Sequence, residues 1–321
     1  MHEYEAYDPD VLCALATVTS EDDVLLSEVL APYTTFHIGG AADVLVLPRS
    51  VEQLVHVLNT CVTAGWPVTV LGNGSNVLVS DRGVRGAVVL LRDNLAAIEV
   101  DAAHRRVRAE AGALLRDVAL AAAGAGLSGM EPLWGIPASV GGACFMNAGA
   151  YGASMADVLD SVEVYVPGRE QPDGGREKGV VRTLAAGELR MGYRQSRVRD
   201  EGLTVLSATF ALELGTEAVI RSDMAEYQRK REEKQPLDLP SAGSTFKRPE
   251  GHFAGKLIQE AGLAGTGVGG AQVSTKHCGF IVNTGGAHAR DVLALIGQVQ
   301  DAVRETSGVQ LEPEVRLVGE F

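Results

Sequence analysis

The chain has 321 residues, 46% of them hydrophobic and 21% charged, which is ordinary for a globular protein and long enough for two or three compact units. Its formal net charge of −13 argues against a general nucleic-acid binder, which needs a basic footprint, but leaves room for a small anionic ligand met by local positive charge. Four scattered cysteines (Cys13, Cys61, Cys144, Cys278) and seven histidines lack metal-ligand spacing, so reduced, mostly buried thiols and no metal site are expected.

In chain order, the first 25 or so residues show weak periodicity and read as a terminal helix or a loose extension. Their acidic start lacks a charged-then-apolar signal layout. Residues 43–48 (DVLVLP) read as a strand and 50–64 as an amphipathic helix N-capped by Ser50. Residues 67–71 (PVTVL) form a strand entering the glycine-rich loop 72–76. Short strands follow at 87–91, 97–101 and 105–109, then a helix over 114–123 ended by glycine. Residues 161–166 and 203–214 read as strands of a second sheet, separated by a polar loop over 167–179. A helix over 217–232 leads to a boundary at 236–240 (PLDLP). Beyond it lies a smaller α/β unit: strand 244–247, helix 253–261, strand 279–283, helix 289–305 and strand 314–318. No apolar run reaches the roughly 18 residues of a membrane span, so a soluble protein is expected.

The 38 glycines concentrate in a few motifs. Gly124, Gly126 and Gly129 match GxGxxG, but the alanine-rich lead-in is helical where a dinucleotide fingerprint needs a strand. Gly124 and Gly126 read as a helix C-cap and turn. Residues 71–78 (LGNGSNVL) follow a β-branched strand. They read either as a tight polar turn or as a loop whose converging N–H groups, with Asn73, Ser75 and Asn76, hold an anion. Without a P-loop lysine, and with no G-x-S-x-G elbow in the chain, nucleotide triphosphatase and hydrolase chemistry are disfavoured. Residues 135–152 (GIPASVGGACFMNAGAYG) read either as a buried helix packed through its glycines or as backbone that a large flat ligand approaches closely. In the second reading a helix starting near Ser139 aims its N–H groups at phosphate. Arg194 in GYRQS has the planar fork that suits a carboxylate; Ser244 sits beside a glycine, and Glu314 lies near the end. Each residue alone is commonplace. Arg229, Lys230, Arg231, Lys234, Lys247 and Arg248 form a basic cluster, either a solvated helix face or a phosphate site.

Taken in order, YTTFHIGG (33–40), LGNGSNVL, GIPASVGGACFMNAGAYG, GYRQS, KQP before SAGSTFKRP, KHCGFIVN and LEPEVR resemble the UDP-N-acetylenolpyruvoylglucosamine reductase family over about residues 30–321. The spacing near residue 195 resembles the shorter of its two types, which lacks a substrate-capping tyrosine loop. The resemblance implies an α/β fold: a two-part FAD-binding module of the vanillyl-alcohol-oxidase kind plus a smaller α/β substrate domain. On this basis we expect an extension at 1–28, the FAD module at 29–212 split near 92, a substrate domain at 213–313 and a final strand at 314–321 carrying Glu314. The implied activity is reduction of UDP-N-acetylglucosamine-enolpyruvate to UDP-N-acetylmuramate, with non-covalent FAD as cofactor and NADPH as co-substrate. Implied cofactor contacts are Leu71, Gly72, Asn73, Gly74, Ser75, Asn76, Pro137, Ser139, Gly141, Gly142, Asn147, Gly149, Tyr151 and Gly152. Implied catalytic residues are Arg194, Ser244 and Glu314; implied substrate contacts are Tyr193, Lys234, Lys247 and Asn283. A cytoplasmic monomer with no nucleic-acid or membrane partner is expected. Ala138 replaces the glycine of the family's GIPGS, and the first 25 residues have no clear counterpart. The rival readings are another flavin oxidase or dehydrogenase on the same module, or a flavin-binding protein without turnover.

Overall fold

The computed structural model describes residues 7–172 and 174–321, and the chain divides into two units. The first takes in the chain as far as Leu26, then Asp43–Asn73 and Gly86–Arg229; the second takes in Ser27–Ala42, Gly74–Arg85 and Lys230–Phe321.

In the first unit, every residue of the strand Ala42–Val46 is buried, including Asp43, whose carboxylate accepts from Gly86 N at 3.0 Å. Its sheet runs in the order Val24–Leu26, Ala42–Val46, Val84–Leu90, Val68–Leu71. The Val24–Leu26 pairing is antiparallel, and Val68–Leu71 lies parallel to Val84–Leu90. The helix Val51–Ala64 buries Leu54, Val57, Leu58 and Cys61, one face of a 3.6-residue period. Ser50 Oγ accepts from Gln53 N at 3.2 Å, and Gly65 closes the helix at φ 72°. Residues 1–6 of the expected N-terminal extension lie outside the described residues; after them come a helix, Pro9–Val18, that buries Val11 and Leu15, and the edge strand Val24–Leu26. Asp23 stands at their junction, buried, with Arg49 Nη2 donating to it at 2.6 Å and Arg49 Nε at 2.8 Å. Those bonds hold its carboxyl below the ordinary carboxylate range despite its burial.

A second, wholly antiparallel sheet of this unit runs Val180–Ala185, Leu159–Val166, Thr204–Ala211, Arg106–Glu110, Ile98–Asp101. Alternation explains the middle: Val107 and Ala109 face the core while Arg106, Arg108 and Glu110 do not. The strand Val180–Ala185 was not anticipated, because it is an edge strand with only Leu184 buried and so shows no apolar alternation. The GxGxxG segment begins at the last residue of the helix Leu115–Gly124, which is capped by Ala125 and not by Gly124, and Gly126 turns at φ 69°. It is a helix end, as its lead-in implied.

The second unit carries an antiparallel sheet in the order Ser241–Ser244, Phe280–Asn283, Ala271–Val273, Gly267–Val268. The helix Ala289–Ser307 packs Val292, Leu295, Ile296, Val299 and Val303 into the core. The Asp81 carboxylate accepts from Ala289 N at 2.8 Å and Arg290 N at 3.1 Å, filling the role of an N-cap from a distant loop. Two expected strands shift: 244–247 forms at Ser241–Ser244, and 314–318 at Arg316–Val318, which lies parallel to Val77–Val79. Among the described residues no helix is long and apolar enough to cross a membrane.

Candidate active site

In the first unit, the strand Val68–Leu71 delivers Leu71, which is buried, to the turn at Gly72. A Cβ on Gly72 would lie 2.0 Å from Ser139 Oγ, so only glycine lets the loop approach this serine. Asn73 Nδ2 donates to Pro137 O at 2.7 Å, tying the loop to the residues that start the next helix. That helix is Val140–Met146, with Ser139 as its N-cap accepting from Gly142 N at 3.4 Å. Its first amides are not all open to a ligand. Val140 N donates to Ala113 O and Gly141 N to Ala111 O, each at 2.8 Å, leaving Gly142, exposed and weakly bonded, as the outward donor. Gly141 packs closely at that contact, where its Cβ would come 3.1 Å from Ala111 Cβ. Ala138 lies outside the positive-φ residues, so its methyl introduces no left-handed strain.

The helix closes on Asn147, left-handed at φ 43° and buried. Asn147 Nδ2 donates to Gly192 O at 2.9 Å, and its Oδ1 accepts from Ala156 N at 3.0 Å. The hairpin Gly149–Ala150 to Ala153–Ser154 follows, turning on Tyr151 (φ 54°) and Gly152 (φ 89°), the positive pair of a type I′ turn. Gly149 lies so close to the returning strand that its Cβ would sit 2.5 Å from Ala153 O. Tyr151 is exposed, stacks 4.8 Å from the Tyr227 ring and donates its hydroxyl to Tyr227 O at 3.3 Å.

Gly192 and Gln195 exchange backbone bonds at 3.1 and 3.2 Å, leaving Tyr193 and Arg194 at the tip of a two-residue turn. Arg194 is left-handed (φ 55°), and its guanidinium lies 4.9 Å from the Tyr193 ring centroid. A non-glycine residue in this region costs roughly 1–2 kcal/mol and persists only when neighbours hold it. Three do: Asn147, Ser196 (whose Oγ donates to Phe145 O at 2.7 Å) and Arg199 (whose Nη1 donates to Arg194 O at 2.6 Å). The sequence singled out Arg194 but not Ser196 or Arg199.

In the second unit, Gly74 (φ 61°) tucks against Tyr33, whose carbonyl a Cβ would meet at 2.4 Å. Thr35 N donates to Gly74 O at 3.2 Å, Thr35 Oγ1 to Ser241 O at 2.7 Å, and Ser241 N to Thr35 O at 3.0 Å. Thr35 thus links the loop to the strand carrying Ser244, a role its place in YTTFHIGG did not disclose. Ser244 is exposed at the strand end, after a register shift at Gly243 (φ 73°). The next residue, Thr245, accepts from Glu314 N at 2.8 Å, and Asn76 Nδ2 donates to Glu314 O at 3.4 Å. Ser244, Glu314 and Asn76 are therefore neighbours through backbone. Lys247 pairs with Glu312, and Lys234 is the exposed last residue of the helix Glu217–Lys234. Asn283 is buried; its Nδ2 donates to Phe36 O at 3.1 Å and its Oδ1 accepts from Gly285 N and Ala287 N. His277 Nδ1 accepts from Gly279 N at 3.1 Å, and burial pulls this imidazole below its usual pKa. Burial pushes the thiols of Cys61 and Cys144 up to about 12, so neither is a nucleophile.

Among the described residues, none of the backbone amides from Gly72 to Asn76 donates to a protein acceptor. Successive free N–H groups in a glycine turn are the donor set that a phosphate fits.

Residues 42–169 match the family model described as FAD binding domain, and residues 235–318 match UDP-N-acetylenolpyruvoylglucosamine reductase, C-terminal domain. The class is thus that of proteins joining a FAD-binding domain to a reductase C-terminal domain. A reductase of this name from Clostridium botulinum is 47% identical over 293 residues, 91% of each chain. One from Agathobacter rectalis is 48% identical over 310 residues, covering 93% of this chain and 95% of its own. The crystal structure of UDP-N-acetylenolpyruvylglucosamine reductase from Thermus caldophilus is similar at a TM-score of 0.74 and 38% identity, covering 92% of this chain and 98% of that one. The chain belongs to the UDP-N-acetylenolpyruvoylglucosamine reductase family.

Proposed function

We propose that the chain catalyses the NADPH-dependent, FAD-mediated reduction of UDP-N-acetylglucosamine-enolpyruvate to UDP-N-acetylmuramate, a step in peptidoglycan precursor synthesis. The observation that carries this reading is 47% identity extending over 91% of both chains.

The cofactor's pyrophosphate fits the loop 72–76, where close packing excludes side chains at Gly72 and Gly74 and the amides lack protein acceptors. Gly142 N supplies a further donor, and Leu71, Pro137, Ser139 and Gly141 shape the backbone around it. Gly149, Tyr151 and Gly152 form the hairpin we assign to the flavin side, whereas the carboxamide of Asn147, bonded to backbone at both ends, is not assigned a cofactor contact. Bound FAD would supply the two-electron relay, accepting hydride from NADPH and releasing it to the enolpyruvyl methylene carbon. The chain's own residues handle the charge and the proton. Negative charge then develops toward the substrate carboxylate, where the Arg194 fork offers charge-assisted hydrogen bonds. Glu314 helps as a neutral acid or through a bonded partner, since an ionised carboxylate facing another is repulsive. Ser244 delivers the proton to the second carbon, and general acid catalysis of this kind is worth roughly 10²–10⁴-fold. Tyr193 and the cations Lys234 and Lys247 are assigned to the substrate; Asn283 is assigned there through the loop its side chain organises.

We assign residues 29–212 to cofactor binding and 213–313 to substrate binding, with Glu314 on the closing segment. The protein is a cytoplasmic monomer without nucleic-acid or membrane partners; its charge of −13 and its nucleotide substrates support this. The test is anaerobic absorbance in the flavin band. NADPH should bleach it and UDP-N-acetylglucosamine-enolpyruvate should restore it. Bleaching without recovery would overturn the substrate, and a colourless protein unable to take up FAD would overturn the cofactor.

A further inference from the structure

Arg194 sits in a backbone conformation that arginine does not favour, so the structure must hold it there. The holding groups are specific. Asn147 is 6% exposed and places both ends of its carboxamide on backbone: Nδ2 on Gly192 O, Oδ1 on Ala156 N. The polarity of those partners fixes the amide orientation, because a carbonyl accepts only from the NH₂ end and an N–H donates only to the oxygen. Gly192 O also accepts from Gln195 N, so Asn147 grips the base of the two-residue turn whose tip is Tyr193–Arg194. The grip comes from the C-cap of the glycine-rich helix Val140–Met146, the segment assigned to the cofactor.

We propose that Asn147 is a positioning residue that sets the place of Arg194 from the end of the helix Val140–Met146, and that it acts through the turn rather than through a side-chain bond to the cofactor. The proposal rests on the role given to Arg194 under the proposed function. Asn147 is suited to it because asparagine tolerates the left-handed region and carries a donor and an acceptor on one rigid group. Ser196 and Arg199 brace the far side of the same turn, so losing Asn147 loosens the turn without releasing it.

The test compares half-reactions in the holoenzyme. Asn147→Asp keeps the acceptor toward Ala156 N and the left-handed backbone but sets a carboxylate oxygen against Gly192 O. Displacement of a charged group by about 1 Å typically costs on the order of 100-fold. Substrate-driven flavin reoxidation should therefore slow by about 10- to 100-fold, while FAD content and bleaching by NADPH stay within about twofold of wild type. Combined with Arg194→Lys, the substitution should add less than about twofold, because the group it positions is already compromised. Asn147→Gly, which satisfies the backbone without the carboxamide, should be as slow as Asn147→Asp, and it carries the comparison if the aspartate variant does not fold. Wild-type reoxidation in either variant, equal slowing of both half-reactions, loss of FAD, or additivity with Arg194→Lys would overturn the proposal. Failure of the wild-type protein itself to reoxidise with substrate would instead remove the functional reading beneath it.

Discussion

The contact between Gly72 and Ser139 gives the sharpest test of how the glycine-rich loop 72–76 is built. Gly72→Ala would place a methyl 2.0 Å from Ser139 Oγ and 3.1 Å from Ser139 Cβ. Ser139 is 2% exposed, and its hydroxyl caps the helix Val140–Met146. The hydroxyl must leave, which loses a cap worth about 1 kcal/mol. The remaining crowding adds about 1–3 kcal/mol, the usual cost of overpacking. In a Ser139→Ala background the cap is already gone and the 2.0 Å clash with it, leaving only the tight methyl–methyl approach at 3.1 Å. The same substitution should then cost no more than about 1 kcal/mol, giving a coupling of about 1–3 kcal/mol. Urea unfolding of the four apoproteins measures it. If Gly72→Ala costs the same in both backgrounds, the loop is not seated on Ser139 and the argument for glycine at this position fails.

Ser244→Ala should leave bleaching by NADPH at the wild-type rate while slowing substrate-driven reoxidation by about 10²–10⁴-fold; a wild-type reoxidation rate would refute the proton-donor assignment. Arg49→Ala should destabilise the protein at pH 7. Because Arg49 holds the folded-state pKa of Asp23 below its unfolded value, the contribution is present above the unfolded pKa, about 4, and is lost as pH falls through the folded one. The gap between variant and wild type in urea midpoint should therefore narrow from pH 6 to pH 3, and a gap that widens would contradict the pairing. His277, whose folded pKa is lowered by burial, makes wild-type stability fall as pH drops below its unfolded pKa, about 6.5, until the folded pKa is passed. His277→Gln should flatten the stability profile between about pH 6.5 and 5, and an unchanged slope would assign it to another group.

Elements that bury one face declared themselves in the sequence. The helix Val51–Ala64 shows its 3.6-residue apolar period and its Ser50 cap, and the strand Arg106–Glu110 alternates. The strand Val180–Ala185 escaped because an exposed edge leaves no periodic trace, and Ala271–Val273 because three residues are too few to show one. Their pairing is decided by partners distant in sequence, Leu159–Val166 for one and Phe280–Asn283 for the other.

Site residues obey the same logic at a finer scale. Glycines marked the loop 72–76 and the segment 135–152 as unusual backbone, and at 72, 74 and 149 a backbone or side-chain atom lies within 2.5 Å of where a Cβ would stand. Side-chain amides were less legible, because a polar residue inside a glycine-rich motif looks alike whether it meets a ligand or a carbonyl. Asn147 and Asn283 are buried and bonded to backbone at both ends, whereas the loop amides from Gly72 to Asn76 have no protein acceptor. The division has a physical cause. Backbone N–H groups in a glycine turn can offer an anion several donors without side-chain entropy, so the carboxamides are freed to secure turns that would otherwise relax. Arg194 and Tyr151 occupy such turns at positive φ, a property that no residue-type pattern at those positions announces. The chemistry-bearing side chain is thus marked by its type, while its aim is set by residues whose types mark them for something else.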